Sequence, residues 1–133
     1  GFYDVQRGEE LQMRGRFQAD DDGRFWFWSV RPKYYPIPHD GPVGQMLQAQ
    51  GRHPFRPEHV HFMIAAEGCE TLVTHLFIDK DPYLDSDVVF GVKNSLVTDY
   101  AERSPGVAPD GSQIEVPYLV LNYDFVLSRK AKR

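Results

Sequence analysis

Polar and apolar positions alternate with a period of two through much of this chain, and turn-forming residues interrupt the alternation at short intervals. Residues 12–18 alternate well enough for a strand, the Asp20-Asp21-Asp22-Gly23 run is a turn signal of the Asp-Gly type, and residues 24–30 predict a second strand. The two strands are expected to form a hairpin. The aromatic run from Phe25 to Trp28 suits a strand with both faces at least partly covered. Pro32, Pro36, Pro38 and Pro42, with Gly41 and Gly44, break regular structure and predict a loop around Tyr34 and Tyr35. A short helix is expected over 43–50. Residues 59–66 read as a strand, 67–68 as a turn, and 71–78 as the antiparallel partner, by β-branched content. The remainder predicts a loop over 79–87, an apolar segment at 88–90, a helical turn or two within 93–103, a loop over 104–113 and a closing strand over 116–127. Short strands joined by turns, with little helix, predict an all-β fold. Its expected form is a β-sandwich of mixed, mainly antiparallel short strands with long loops.

A chain of 133 residues, with 41% hydrophobic and 26% charged content, predicts a single soluble domain over 1–133 with a basic tail at 128–133. The net charge of -4 argues against a nucleic-acid partner, which would call for a basic stripe. A single cysteine, Cys69, excludes an intrachain disulfide and fits a reducing compartment. No apolar run approaches a membrane span or a signal peptide, so no membrane partner and a cytoplasmic location are expected.

The candidate chemistry centres on His59 and His61. They sit two apart in a strand-like run, so the pleat points both imidazoles to one face. Two imidazoles are half of a metal site, though they suit zinc, copper, iron and nickel alike. Tyr34 and Tyr35 change that picture, because a phenolate is a hard anionic donor that favours Fe(III) over Zn(II). The competing reading is that the histidines are ordinary strand residues and the tyrosines are packing. His75 shares a parity with Val73 and Phe77 and is expected to face inward, close to the histidine pair. The Asp20 to Asp22 run lacks the further oxygen ligands and closing Glu of a calcium loop.

Several motifs in order carry a family resemblance: Gly1-Phe2-Tyr3-Asp4, Arg14-Gly15 with Asp20 to Gly23, Tyr35 with Pro36-Ile37-Pro38 and Gly41-Pro42, Gly51-Arg52-His53, Arg56-Pro57-Glu58-His59-Val60-His61-Phe62, and Thr74-His75. Together they resemble the intradiol ring-cleavage dioxygenases, in particular the hydroxyquinol branch, over nearly the whole chain. The resemblance implies a non-haem Fe(III) cofactor, Fe(3+), held by Tyr3, Tyr35, His59 and His61, with Tyr3 also a displaceable base. Tyr35 is preferred to Tyr34 because its distance to Gly41-Pro42 and to His59 matches the family; Tyr34 is left to packing. His53 is not implied as a ligand, and His39 acquires no role.

The same resemblance gives Arg56 the task of stabilising negative charge on an aromatic substrate, for which a permanently charged, planar guanidinium is suited. A structural salt bridge is the competing reading for Arg56. His75 stands where the hydroxyquinol branch has the same residue and would hydrogen-bond the substrate, with a core histidine as the alternative. Pro36, Ile37, Pro38 and Val89 fall where the family lines its substrate pocket, against plain core packing. The implied reaction cleaves the bond between two hydroxylated ring carbons with O2, taking hydroxyquinol to 3-hydroxy-cis,cis-muconate or maleylacetate. Catechol or chlorocatechol is the enzymatic alternative, and a metal-binding β-sandwich module with little turnover is the alternative of another class. Nothing here matches the family's N-terminal helical segment. The chain is therefore expected to represent the catalytic-domain part only, and a homodimer would need another surface than that segment.

Overall fold

The computed structural model describes residues 13–131. In chain order its elements are β1 (Tyr35–Pro36), α1 (Pro42–Ala49), β2 (Phe55–Arg56), β3 (His59–Ile64), β4 (Leu72–Ile78), β5 (Val97–Thr98), β6 (Ala101–Arg103), β7 (Gly106–Val107), β8 (Gln113–Ile114) and β9 (Tyr118–Val120). They form one three-stranded sheet in the order β3-β4-β5 and three two-stranded pairs, β1-β2, β6-β9 and β7-β8. The chain is thus rich in short strands, with one α-helix among the described residues, and its sheets are smaller than the expected sandwich. Its contacts define two compact units, one from residues up to 31 together with 102–119, the other from 32–101 and 120 onward.

The second unit is organised by β3 and β4. They pair antiparallel, as their β-branched content predicted, with His61 directly opposite His75 and His59 opposite Phe77. Alternation then sorts the side chains. Val60 meets Leu76 on the inner face, while His59, His61 and Met63 share the other face with Phe77, His75 and Val73. Leu76, Phe77 and Ile78 have no exposed surface, so the end of β4 is covered on both faces. The parallel pairing of Phe77 and Ile78 with Val97 and Thr98 of β5 continues the sheet there. At the other end, the backbone of the basic tail is tied down, since the N–H of Glu70 donates to the Ser128 carbonyl and that of Lys130 to the Gly68 carbonyl.

Helix α1 matches the predicted 43–50 closely and starts one residue earlier, on Pro42, whose missing N–H is no loss in a first turn. Gly44 is required by space: a Cβ there would lie 1.7 Å from the His39 carbonyl oxygen. Leu47 is buried, and Gly51, at φ +63, ends the helix.

Other expectations are corrected. Residues 13–18 and 24–30 carry no strand ladder, although the turn between them forms and the Phe17 and Phe27 rings stack at 4.8 Å in hairpin register. The Asp20 carboxylate takes the N–H groups of Asp22 and Arg24, offering the backbone a local alternative to a ladder. The aromatic run is only partly covered, with Phe25, Trp26, Phe27 and Trp28 remaining 36–53% exposed. Trp28 donates from its indole to Asp110 and packs on Tyr118 within the first unit. Tyr35 lies in a two-residue ladder instead of a free loop. The helical turns expected within 93–103 reduce to a 3-10 turn, Asn94–Leu96, followed by β5 and β6. The 104–113 loop contains β7 and reaches β8. The closing strand shortens to β9, which starts after Pro117, a residue with no N–H for a ladder, and ends at Val120. Among the described residues no helix is long and apolar enough to cross a membrane.

The wholly buried Leu76 makes the core testable. Leu76→Ala is expected to lower the unfolding free energy by about 2–5 kcal/mol in urea titrations. Val126→Ala, at a position 89% exposed, should shift it by less than about 0.5 kcal/mol. Equal effects of the two changes would contradict this placement of the core.

Candidate active site

Two short ladders bring the predicted residues together. In the first, Tyr35 of β1 is the register partner of Arg56 of β2, which places a phenol beside a guanidinium. The chain then turns through Pro57, fully buried, into β3. That turn carries His59 back to the same spot: its Nε2 lies 3.4 Å from Tyr35 Oη and 3.2 Å from Arg56 Nη1. The second ladder adds His61 and His75, whose ring centroids are 4.2 Å apart, with the His59 ring 4.9 Å from His61 and 5.5 Å from His75. His75, expected to face inward, is instead half-buried on the face away from Leu76, which is closed at Phe77 and open at Val73, 65% exposed.

Hydrogen bonding sets the protonation of His59. Its Nδ1–H donates to the Pro57 carbonyl at 2.6 Å, so Nε2 carries the lone pair. Tyr35 Oη and Arg56 Nη1 both lie close to that one lone pair, the phenol contact being long for a hydrogen bond, and Arg56 also hydrogen-bonds Tyr35. Burial pushes the His59 pKa down to about 4; the Pro57 carbonyl opposes this, while the Arg56 charge and the neighbouring His61 and His75 reinforce it. His75 is also lowered, by burial and then by Arg56, with Asp87 pulling the other way. Both rings are therefore neutral near pH 7, the state in which imidazole binds a metal.

Arg56 is 6% exposed and Asp87 3% exposed, and they form a two-pronged ion pair: Nε to Oδ1 at 3.2 Å and Nη2 to Oδ2 at 3.3 Å. Burial raises the Asp87 carboxyl, but the Arg56 bond and charge and the N–H groups of Gly91 and Val89 outweigh it and hold the pKa below the ordinary value. Burial likewise works against the Arg56 charge, and Asp87, followed by the charge and hydrogen bond of Tyr35, more than compensates. The salt bridge weighed for Arg56 is thus present, together with a contact to His59.

Asp87 was not singled out by the sequence. Its signals were the need of a buried guanidinium for a counter-ion and the Asp-Val-Val-Phe-Gly run, whose glycine lets a backbone amide reach the carboxylate. The Pro57 carbonyl, which selects the tautomer, gave no signal in the sequence.

The other predicted positions are also located. Pro36, Pro38 and Val89 are exposed and Ile37 is half-buried, so they are not core. Tyr34 packs on Phe55 and Tyr83, at 5.8 and 4.9 Å between centroids. His53 accepts the Phe55 N–H on Nδ1 and faces Ser86 Oγ with Nε2 at 2.9 Å, which ties down the turn Leu84–Ser86. His39 faces the Ile37 carbonyl. Tyr3 lies outside the described residues.

Among the described residues, no group of three or more His, Cys, Asp and Glu side chains is placed to hold a metal ion. The described imidazoles therefore make no such group by themselves, and the other donor beside His59 is the phenol oxygen of Tyr35. The donor chemistry of that pair fits a shared ion. Ligands bonded to one metal at about 2 Å stand roughly 3–3.5 Å apart, and Tyr35 Oη and His59 Nε2 are 3.4 Å apart.

A dioxygenase family profile matches residues 1–129, and the chain belongs to the intradiol ring-cleavage dioxygenases, a family that uses non-haem iron. Within it the chain is similar to hydroxyquinol 1,2-dioxygenases. It is 57% identical to the one from Rhizobium sp. (strain MTP-10005) over 97% of this chain and 45% of that protein. It is 49% identical to the one from Nocardioides simplex over 96% of this chain and 44% of that protein. The crystal structure of hydroxyquinol 1,2-dioxygenase from Pseudomonas putida DLL-E4 superposes with a TM-score of 0.87 at 46% identity, over 98% of this chain and 46% of that one. The chain thus spans just under half the length of the relatives it matches.

The His59 environment has a pH signature in the metal-free protein. With an ordinary value of 6.5 and about 4 when folded, His59 binds its proton more readily in the unfolded chain. Stability is then fully present above pH 6.5 and falls as pH drops toward 4, by about 2–3 kcal/mol from this group. Urea titrations of chelator-treated protein across that range should show the fall, and His59→Gln should flatten it. An unchanged slope in the variant would contradict the buried neutral imidazole.

Proposed function

We propose that this chain carries the iron and diol site of an enzyme that opens hydroxyquinol between its adjacent hydroxylated carbons with O2, giving 3-hydroxy-cis,cis-muconate or maleylacetate. The observation that carries the reading is the meeting of Tyr35 Oη and the His59 Nε2 lone pair at 3.4 Å, with His61 on the same sheet face. Tyr35, His59 and His61 would hold Fe(III), with Tyr3 as the fourth ligand and the base displaced by the diol. Bound Fe(III) is a Lewis acid that acidifies a chelated diol and draws electron density from its ring, preparing the ring for O2.

The protein's own groups account for the rest. Arg56 keeps its positive charge beside the ligand cluster and would offset the charge of a deprotonated diol, more strongly for being buried. A neutral His75 can exchange a hydrogen bond with a substrate hydroxyl at the open side of the cluster. Pro36, Ile37, Pro38 and Val89 would wall the aromatic ring, which their exposed or half-exposed surfaces permit. The small sheets would belong to the β-sandwich of a longer protein. Hydroxyquinol is favoured over catechol and chlorocatechol because the relatives of those names match less of the chain. A catechol 1,2-dioxygenase from Candida albicans is 40% identical over 75% of it, and a chlorocatechol 1,2-dioxygenase from Rhodococcus opacus is 42% identical over 72%.

Loading the purified chain with Fe(III) should produce a broad visible tyrosinate-to-iron band, weaker or shifted in Tyr35→Phe and unchanged in Tyr34→Phe. Hydroxyquinol should shift the band without O2, and admitting air should then bleach the shifted species as product forms. A shifted band that persists in air would mean a binding module without turnover. A colourless protein after loading would overturn the iron reading.

A further inference from the structure

We infer that Asp87 is the positioning residue for Arg56, turning the guanidinium so that one edge is spent on the carboxylate and the other faces the diol site. The inference rests on the reading of the site as a diol centre.

The geometry is fully subscribed on the Asp87 side. Oδ1 accepts from Arg56 Nε at 3.2 Å and from the Val89 N–H at 3.3 Å, while Oδ2 accepts from Arg56 Nη2 at 3.3 Å and from the Gly91 N–H at 2.8 Å. A planar guanidinium gripped along Nε and Nη2 has its rotation fixed. Nη1 is then left to project at His59 Nε2, 3.2 Å away. The turn that holds the carboxylate is itself anchored to the strand that bears Arg56, since the Val88 N–H donates to the Phe55 carbonyl at 3.1 Å. Arg52 Nη2 grips the Val88 carbonyl at 2.9 Å. Phe90 sits in this turn at φ +54, a left-handed conformation costly for a bulky residue, and its N–H donates to the Asp87 carbonyl. Strain of that kind persists where the surroundings over-determine it.

Gly91 supplies an independent observation. A Cβ at Gly91 would lie 3.0 Å from Arg56 Nη2 and 3.1 Å from Asp87 Oδ2, so any side chain there intrudes on the fork. Gly91 needs no left-handed backbone, so what an alanine would meet there is the fork itself, which would have to give by a few tenths of an ångström. A buried ion pair is a weak stabiliser that apolar residues often replace without loss. Orientation of the Nη1 edge toward Tyr35 and His59 is what the pair provides and an apolar pair could not.

Two variants test this by different routes. Asp87→Asn weakens the grip, and Gly91→Ala displaces the fork while keeping every charge. In the metal-free chain labelled with nitrogen-15, the Arg56 Nε–H should exchange slowly with water and should exchange at least about tenfold faster in both variants. In Fe(III)-loaded protein without O2, the hydroxyquinol Kd read from the visible band should rise about tenfold to a hundredfold in both, with the substrate-free band unchanged. A merely structural pair would instead alter stability and the substrate-free band together and leave the Kd of the folded variant near its original value. Overturning results are a fast-exchanging Arg56 Nε–H in the unaltered chain, or a folded variant whose Kd stays within about twofold of the original. If Asp87→Asn does not fold, Gly91→Ala decides. If the unaltered chain takes up no iron, the diol reading fails and the inference with it, while the exchange measurement still reports separately whether Asp87 holds Arg56.

Discussion

His61 stands opposite His75 because β3 and β4 pair antiparallel in one register, and a slip of a single residue would send either strand's side chains to the other face. The slip is opposed where the sheet has one covered and one open face, since Phe62, Ile64, Leu72 and Thr74 are half-buried while His61, Met63 and Val73 are exposed, and a slip would exchange the two sets. The difference in cover between the two faces thus holds the imidazoles where they are on β3 and β4. Packing determines the register, and the register determines the chemistry.

Burial also sets the electrostatics. Around His59 it favours a neutral ring, and the Pro57 carbonyl chooses which nitrogen keeps the lone pair. A few ångströms away the same low dielectric makes an unpaired Arg56 costly, and Asp87 answers that cost with charge and shape together. The result is a neutral imidazole lone pair beside a fixed cation. Either group alone would be unremarkable in a protein interior.

The similarity to hydroxyquinol 1,2-dioxygenases covers nearly all of this chain but just under half of each relative. Those figures suit a chain in which the described site residues lie within one unit, residues 32–101 with 120 onward. Tyr35, Arg56, His59, His61, His75 and Asp87 all belong to it.

The parts legible in the sequence were those governed by local rules. Strand alternation set His59 and His61 on one face, the β-branched run 71–78 declared their partner, and Pro42 with Gly51 bounded the helix. The motif around Arg56-Pro57-Glu58-His59-Val60-His61 was strong enough to indicate the family. The aromatic hairpin over 13–30 misled, because alternation shows that a strand is possible and not that a neighbour completes its ladder. The two-residue ladder of Tyr35 and Arg56 was hidden for a related reason: it pairs residues 21 positions apart, across a helix. Asp87 meets Arg56 across 31 positions, a distance in sequence that no period can encode. Composition and periodicity thus determined the residue types and their faces. Only the tertiary structure decided which of them meet, because burial and register are properties of the whole fold and not of any one segment.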